Sequence, residues 1–147
     1  MEKQHKNILE LLPYSKPFLF VDEILKLDEN GCEGHYTFTE KEFFYKGHFI
    51  GNPVTPGVIL TECMAQIGLV CLGLFLIAEE KPEHKAIALT ATEIEYYKPV
   101  FPGEKVWVRS EKIYFRFQKL KCKVRMTNQK GELVALGTIS GMLTTPS

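Results

Sequence analysis

The sequence predicts an α+β fold: an antiparallel sheet packed around one long, buried helix. Three observations predict it. The periodic segments come as two strands, one long apolar stretch, then roughly four more strands. No regular strand–helix–strand alternation appears, which argues against a doubly wound parallel sheet. Lys119 to Thr127 alternates cleanly. Leu120, Cys122, Val124 and Met126 face one way and Lys119, Lys121, Lys123 and Arg125 the other, the mark of a strand with one buried and one wet face. The 147 residues, 45% hydrophobic and 24% charged, suit a single domain spanning 1–147 with a sizeable core.

The elements follow in order. His5 to Leu12 reads as a short helix with Ile8, Leu11 and Leu12 on one face, ended by Pro13. Phe18 to Leu27 is rich in aromatic, β-branched and leucine residues and reads as a strand. Asp28-Glu29-Asn30-Gly31 is a turn signal, and Cys32 to Thr39 is the expected hairpin partner. Gly47 to Gly57, GHFIGNPVTPG, is an irregular loop. Val58 to Ala78 is apolar nearly all round, as a helix buried on most sides must be. Strands are then expected at Ile87 to Tyr97, Lys105 to Phe117, Lys119 to Thr127 and Leu133 to Leu143. Pro99 to Gly103 and Asn128 to Gly131 act as breaks.

Composition excludes several classes. Eighteen basic residues balance eighteen acidic ones, so no global charge favours nucleic acid or an anionic membrane. The apolar run Ile67 to Ala78 falls short of the roughly 20 residues needed to span a bilayer. Placing Glu62 in lipid would cost about 2.5–3.5 kcal/mol. A buried helix is expected there, not a membrane span. Cys32, Cys63, Cys71 and Cys122 are scattered, with no CxxC pair and no zinc spacing, and Cys63 and Cys71 read as small core residues. A reducing compartment follows. Met1 to Asn7 lacks a signal-peptide core, so the cytoplasm is the expected location.

The chemistry concentrates around the loop. Thr55 suits an N-cap and Pro56 the first helical position. The Gly57 amide then lacks an intrahelical partner and carries the positive end of the helix dipole. Without a side chain, Gly57 admits a close oxygen, as an oxyanion donor requires. Glu62 sits among Ile59, Leu60, Cys63 and Met64, surroundings that favour a protonated carboxyl able to act as general acid. Gln66, four residues on, shares its face and can orient it. His48 lies between Gly47 and Phe49, and histidine is the natural base near neutral pH. Each feature also has a plain structural reading: a capped helix start, an acid emerging at a helix end, an incidental loop histidine. His5, His35 and His84 have no such setting, and no HExxH or other metal spacing joins His48 to carboxylates.

Taken together, GHFIGNPVTPGVILTECMAQ resembles the signature of the hot-dog-fold β-hydroxyacyl-acyl carrier protein dehydratases of fatty acid synthesis. Gly47, His48, Phe49, Gly51, Pro53, Pro56, Gly57, Glu62, Met64, Ala65 and Gln66 carry the match. Leu11-Leu12-Pro13, Pro17-Phe18-Leu19, Val21-Asp22, Tyr97-Lys98-Pro99-Val100 and Pro102-Gly103 extend it over most of the chain.

The resemblance implies a long helix wrapped in a curved antiparallel sheet. It implies His48 as base and Glu62 as acid, drawn from opposite subunits of a dimer, and the Gly57 amide as oxyanion donor. Gln66, Phe49 and Val58 are implied as substrate-binding neighbours. The substrate implied is a (3R)-hydroxyacyl chain on the phosphopantetheine of an acyl carrier protein, with no metal or soluble cofactor. The assembly implied is a homodimer or a trimer of dimers. Glutamate rather than aspartate at 62 resembles the dehydratase-only branch.

Ile50, Tyr14 and Thr55 depart from the usual proline, histidine and methionine, and specialised relatives act in polyketide-like or aryl-polyene pathways. Ile59, Met64, Leu69, Phe18, Phe20 and Phe49 are candidates for an acyl tunnel and serve equally as core. Lys98, Arg109, Lys112, Arg116, Lys119, Lys121, Lys123 and Arg125 are candidates for a basic rim facing the carrier protein, or for a solvated strand face. The rival readings are a hot-dog acyl thioesterase and a non-catalytic partner subunit of a dehydratase heterocomplex. The pairing of His48 with Glu62 argues against the thioesterase.

Overall fold

The computed structural model describes residues 8–77 and 86–144. Six strands form one antiparallel sheet: β1 (Glu23–Asp28), β2 (Gly31–Thr37), β3 (Ala86–Tyr96), β4 (Lys105–Arg116), β5 (Lys119–Asn128) and β6 (Leu133–Thr144). Their spatial order is β1-β2-β4-β5-β6-β3, so β1 and β3 are the edges. The central helix runs Gly57–Leu76 and lies against the sheet's inner face. This is the expected α+β arrangement.

Alternation explains the sheet. Leu120, Cys122, Val124 and Met126 on β5 are buried, while Lys123 and Arg125 between them are exposed. The helix is buried from Cys63 to Leu74, which accounts for its unbroken apolar run. It is also the one helix among the described residues long and apolar enough to cross a membrane, and 72% of its most apolar window is buried within the fold. Burial of that extent suits a core helix. All four cysteines are free and buried.

The middle of the helix, Gln66–Val70, is wound as a π-helix. It touches β2, β4, β5 and β6, so this is where helix and sheet meet. Gly68 permits the approach: a methyl group there would lie 3.0 Å from Val124 Cγ1 and 3.1 Å from Ser110 Cβ. Gly68→Val is therefore expected to destabilise the protein by about 1–3 kcal/mol through overpacking. Urea unfolding would show it, and an unchanged midpoint would refute the packing account.

Three expectations need correction. The first strand begins at Glu23, not Phe18. Gln66 draws the chain from Phe18 to Phe20 onto the helix, accepting the Phe20 N–H at 2.8 Å and donating to the Phe18 carbonyl at 3.0 Å. Phe20 then packs among Tyr36, Phe38 and Phe44 instead of joining the sheet edge. Next, Phe117 belongs to the β4–β5 turn rather than to β4. Phe117 and Gln118 have φ of 51° and 63°, the left-handed geometry of a two-residue hairpin. The third concerns Thr55, which bonds Tyr45 instead of capping the central helix. Residues 8–11 are helical, whereas His5 to Asn7 and Ala78 lie outside the described residues.

Candidate active site

His48 follows a 3₁₀ turn, Phe43–Lys46, whose Phe44 and Tyr45 side chains are buried. Glu42 ties the entry to that turn: its carboxylate accepts the Tyr36 hydroxyl at 2.5 Å and the Thr39 N–H at 3.1 Å. The His48 N–H donates to the Phe44 carbonyl at 3.1 Å, and its carbonyl accepts the Val54 N–H at 2.9 Å. Between them Phe49 and Asn52 close a tight turn by exchanging backbone bonds of 3.0 and 2.9 Å. Gly51 supplies the φ of +71° that the turn requires. The imidazole is thus mounted on a loop pinned at both ends.

Its chemical state follows from its partner. His48 Nδ1 lies 2.9 Å from the Val54 carbonyl oxygen. A carbonyl only accepts, so Nδ1 carries a proton, and in the neutral ring Nε2 presents the lone pair. The ring stacks on Phe49, with centroids 4.0 Å apart and planes 26° apart.

The helix start differs in detail from the expectation. Pro56 occupies the N-cap, with φ −58° and ψ 139°, and Gly57 is the first helical residue. Thr55 makes no cap. Its hydroxyl is 2.6 Å from the Tyr45 hydroxyl, and its N–H donates to the Val100 carbonyl at 2.9 Å. A buried tyrosine hydroxyl needs a partner, and Thr55 supplies it at the expense of capping. The Pro56 carbonyl accepts the Ile59 and Leu60 N–H groups at 2.9 and 3.1 Å. The Gly57 N–H finds no acceptor among the described residues. A cleft of about 320 Å3 opens beside it, lined by Thr55, Leu60, Tyr96, Tyr97, Lys98 and Pro99. Val58, next in the helix, is exposed.

Glu62 stands on the helix, one to two turns further along. Burial pushes its carboxyl above the ordinary range, opposed by the hydrogen bond from Gln66. Gln66 is fully buried, and its amide orientation follows from its partners. A backbone N–H donates to its oxygen, so its nitrogen must face the Phe18 carbonyl and Glu62 Oε2, the latter at 2.9 Å. Glu62 Oε2 is then an acceptor, and Oε1 takes no part in that bond. Tyr14 stands near this acid, its hydroxyl pushed well up by burial first and by Glu62 second. Gln66→Leu would strip partners from the Phe20 N–H and the Phe18 carbonyl together. A loss of about 2–5 kcal/mol is expected from two unsatisfied groups, and a loss under 1 kcal/mol in chemical unfolding would contradict it.

Among the described residues no hydrogen bond joins His48 to Glu62. Gln66 is brought to Glu62, and Phe49 to His48. Phe20, Met64 and Leu69 are core, whereas Phe18 and Phe49 reach the surface. No three His, Cys, Asp or Glu residues converge as a metal site among the described residues. Tyr45 meets Thr55, Val54 meets His48, and Thr61 meets Tyr96. Sequence reasoning missed these contacts, because they depend on how distant segments meet.

The FabA-like domain family matches residues 12–139. The chain belongs to this family. The FabA-like chain is 31% identical to the 3-hydroxyacyl-[acyl-carrier-protein] dehydratase FabZ of Wolbachia sp. subsp. Drosophila simulans (strain wRi), over 97% of this chain and 98% of that protein. It is 34% identical to the protein of the same name from Caldicellulosiruptor saccharolyticus, over 90% and 93%. A chain of the dehydratase heterocomplex ApeI:P from Xenorhabdus doucetiae shares the fold of this FabA-like protein. The TM-score is 0.78 at 12% identity, with 95% of this chain and 91% of that one covered.

Proposed function

We propose that this FabA-like protein dehydrates a (3R)-hydroxyacyl thioester carried on the phosphopantetheine of an acyl carrier protein. The product is a trans-2-enoyl thioester, made for fatty acid or a related polyene or polyketide synthesis. The observation that carries the proposal is the matched pair of protonation states. His48 turns Nδ1 to a carbonyl and leaves Nε2 for a substrate proton, while burial raises the Glu62 carboxyl and favours its protonated form. Dehydration needs both at once.

In the proposed reaction the thioester oxygen accepts the Gly57 N–H, helped by the helix dipole. His48 Nε2 removes a C2 proton. Glu62 Oε1 donates its proton to the 3-hydroxyl, the C3–O bond breaks, and water leaves as the C2–C3 double bond forms. The reaction uses no metal or soluble cofactor, and the enzyme works in the cytoplasm as one domain.

The site is completed in a homodimer, alone or as a trimer of dimers, with His48 facing Glu62 of the partner subunit. What supports the dimer is the open edge of the sheet. β3 is exposed on both faces from Ala88 to Glu93, and Phe49, Ile50 and Val58 expose apolar side chains nearby in sequence to the catalytic groups.

The test is mass spectrometry of defined 3-hydroxyacyl-carrier substrates, aliphatic and polyene, incubated with the pure protein. Loss of one water from the acyl chain is the expected result. Release of free thiol without dehydration would replace the proposal with thioester hydrolysis, and an inert pure chain would favour a non-catalytic partner subunit.

A further inference from the structure

Tyr96 ends β3, at the open edge of the sheet. Its ring lies across the α-carbon of Gly57: a methyl group at Gly57 would sit 3.3 Å from Tyr96 Cζ and 3.4 Å from Cε1. The Tyr96 hydroxyl reaches past that α-carbon and is hydrogen-bonded to the Thr61 hydroxyl, one helical turn on. On the other side of Gly57, the Thr55 N–H is tied to the Val100 carbonyl at 2.9 Å. Two ties to one segment, Tyr96 and Val100, therefore bracket the amide of Gly57. The Tyr45–Thr55 hydroxyl pair, 2.6 Å apart, holds Thr55 two residues before Gly57.

This arrangement is not required by the core. Within one protomer Tyr96 remains 47% exposed, so its ring fills no interior space of the fold, and one such hydrogen bond adds little to stability. What the bond does control is the first turn of a helix, the part most prone to fray. The amide in that turn must point at one place to act on a carbonyl, and a displacement of about 1 Å can cost roughly 10²-fold in rate.

We infer that Tyr96, held by Thr61, is a positioning residue that fixes the aim of the Gly57 N–H. The inference rests on the proposed reading of Gly57 as the donor to the thioester oxygen. Gly57 is then glycine for two reasons: its amide must be open to a ligand on one side, and its α-carbon must admit the Tyr96 ring on the other.

Two measurements test it in the full-length protein. Tyr96→Phe and Thr61→Val each lower kcat by about 10-fold, less than the 10²–10³ expected for loss of a whole oxyanion donor. KM and thermal unfolding stay near wild type. The double variant falls no further than either single one, because both remove the same bond. Thr61→Ser, which keeps the hydroxyl, restores the rate.

In substrate-free protein the Gly57 amide NMR resonance moves in Tyr96→Phe and Thr61→Val and returns in Thr61→Ser. A stationary resonance, a wild-type kcat in Tyr96→Phe, or a rise in KM alone would overturn the inference. If Tyr96→Phe fails to fold, the two Thr61 variants still decide it. A responsive resonance in a wild-type protein that dehydrates nothing would instead overturn the proposed reaction, and the Tyr96 tie would stand.

Discussion

His48→Ala lowers kcat for dehydration by about 10²–10⁴-fold, the range for removing a positioned general base. In the proposed reaction the atom lost is Nε2. Nδ1 is committed to the Val54 carbonyl at 2.9 Å, so Nε2 is the only ring nitrogen free to take the C2 proton. His48→Gln keeps a polar side chain in the loop but no base, and the same loss is expected of it. The rest of the loop is held by backbone bonds from Phe44, Asn52 and Val54, none of which uses the imidazole. Both variants should therefore unfold close to wild type. Steady-state turnover on one 3-hydroxyacyl-carrier substrate, with circular dichroism as the folding control, measures both quantities. Turnover within a few-fold of wild type in either folded variant would remove His48 from the mechanism.

Glu62→Gln is expected to lose activity on a similar scale, about 10²–10⁴-fold, while changing stability in the opposite direction at neutral and higher pH. Burial raises the folded-state pKa of Glu62 above its unfolded value. The protonated side chain therefore contributes stability that is fully present below the unfolded pKa. That contribution is lost as pH rises through the folded pKa, because the folded protein must then bury a charge. Glutamine cannot ionise, and its amide oxygen can still accept from Gln66 Nε2.

The stability of Glu62→Gln relative to wild type thus climbs with pH across that window and levels off above it. Urea unfolding of both proteins over a pH series reads this directly. A stability difference that is flat with pH would mean that Glu62 does not titrate out of register between the folded and unfolded states. An active Glu62→Gln would remove the proposed acid whatever its stability.

These two side chains show how legible the site was. The GHFIGNPVTPG run and the helix after it marked His48, Gly57, Glu62 and Gln66, because their residue types follow from local chemistry: a loop imidazole, a helix start and an acid in an apolar stretch. The Gln66–Glu62 contact was legible too, since residues four apart share a helix face. Thr55 was misread for an equally local reason. Its type suits an N-cap, but a tyrosine hydroxyl ten residues away competes for the same oxygen and wins. Phe18 to Phe20 has the composition of a strand, yet the Gln66 amide, more than forty residues away, bonds the Phe18 carbonyl and the Phe20 N–H. Tyr96 and Thr61 carried no signal at all, because nothing in either segment announces the other.

By itself the sequence determined the alternation that makes β5 a strand, the apolar run that must be a buried helix, and the family to which the chain belongs. These rest on period and residue type, which are properties of neighbours along the chain. Only the tertiary structure decided which nitrogen of His48 meets the Val54 carbonyl, which oxygen of Glu62 meets Gln66, and which tyrosine lies across Gly57. Each of those is settled by a hydrogen bond whose partner is chosen when distant segments pack. A carbonyl that can only accept, or an N–H that can only donate, then leaves one protonation state and one orientation open.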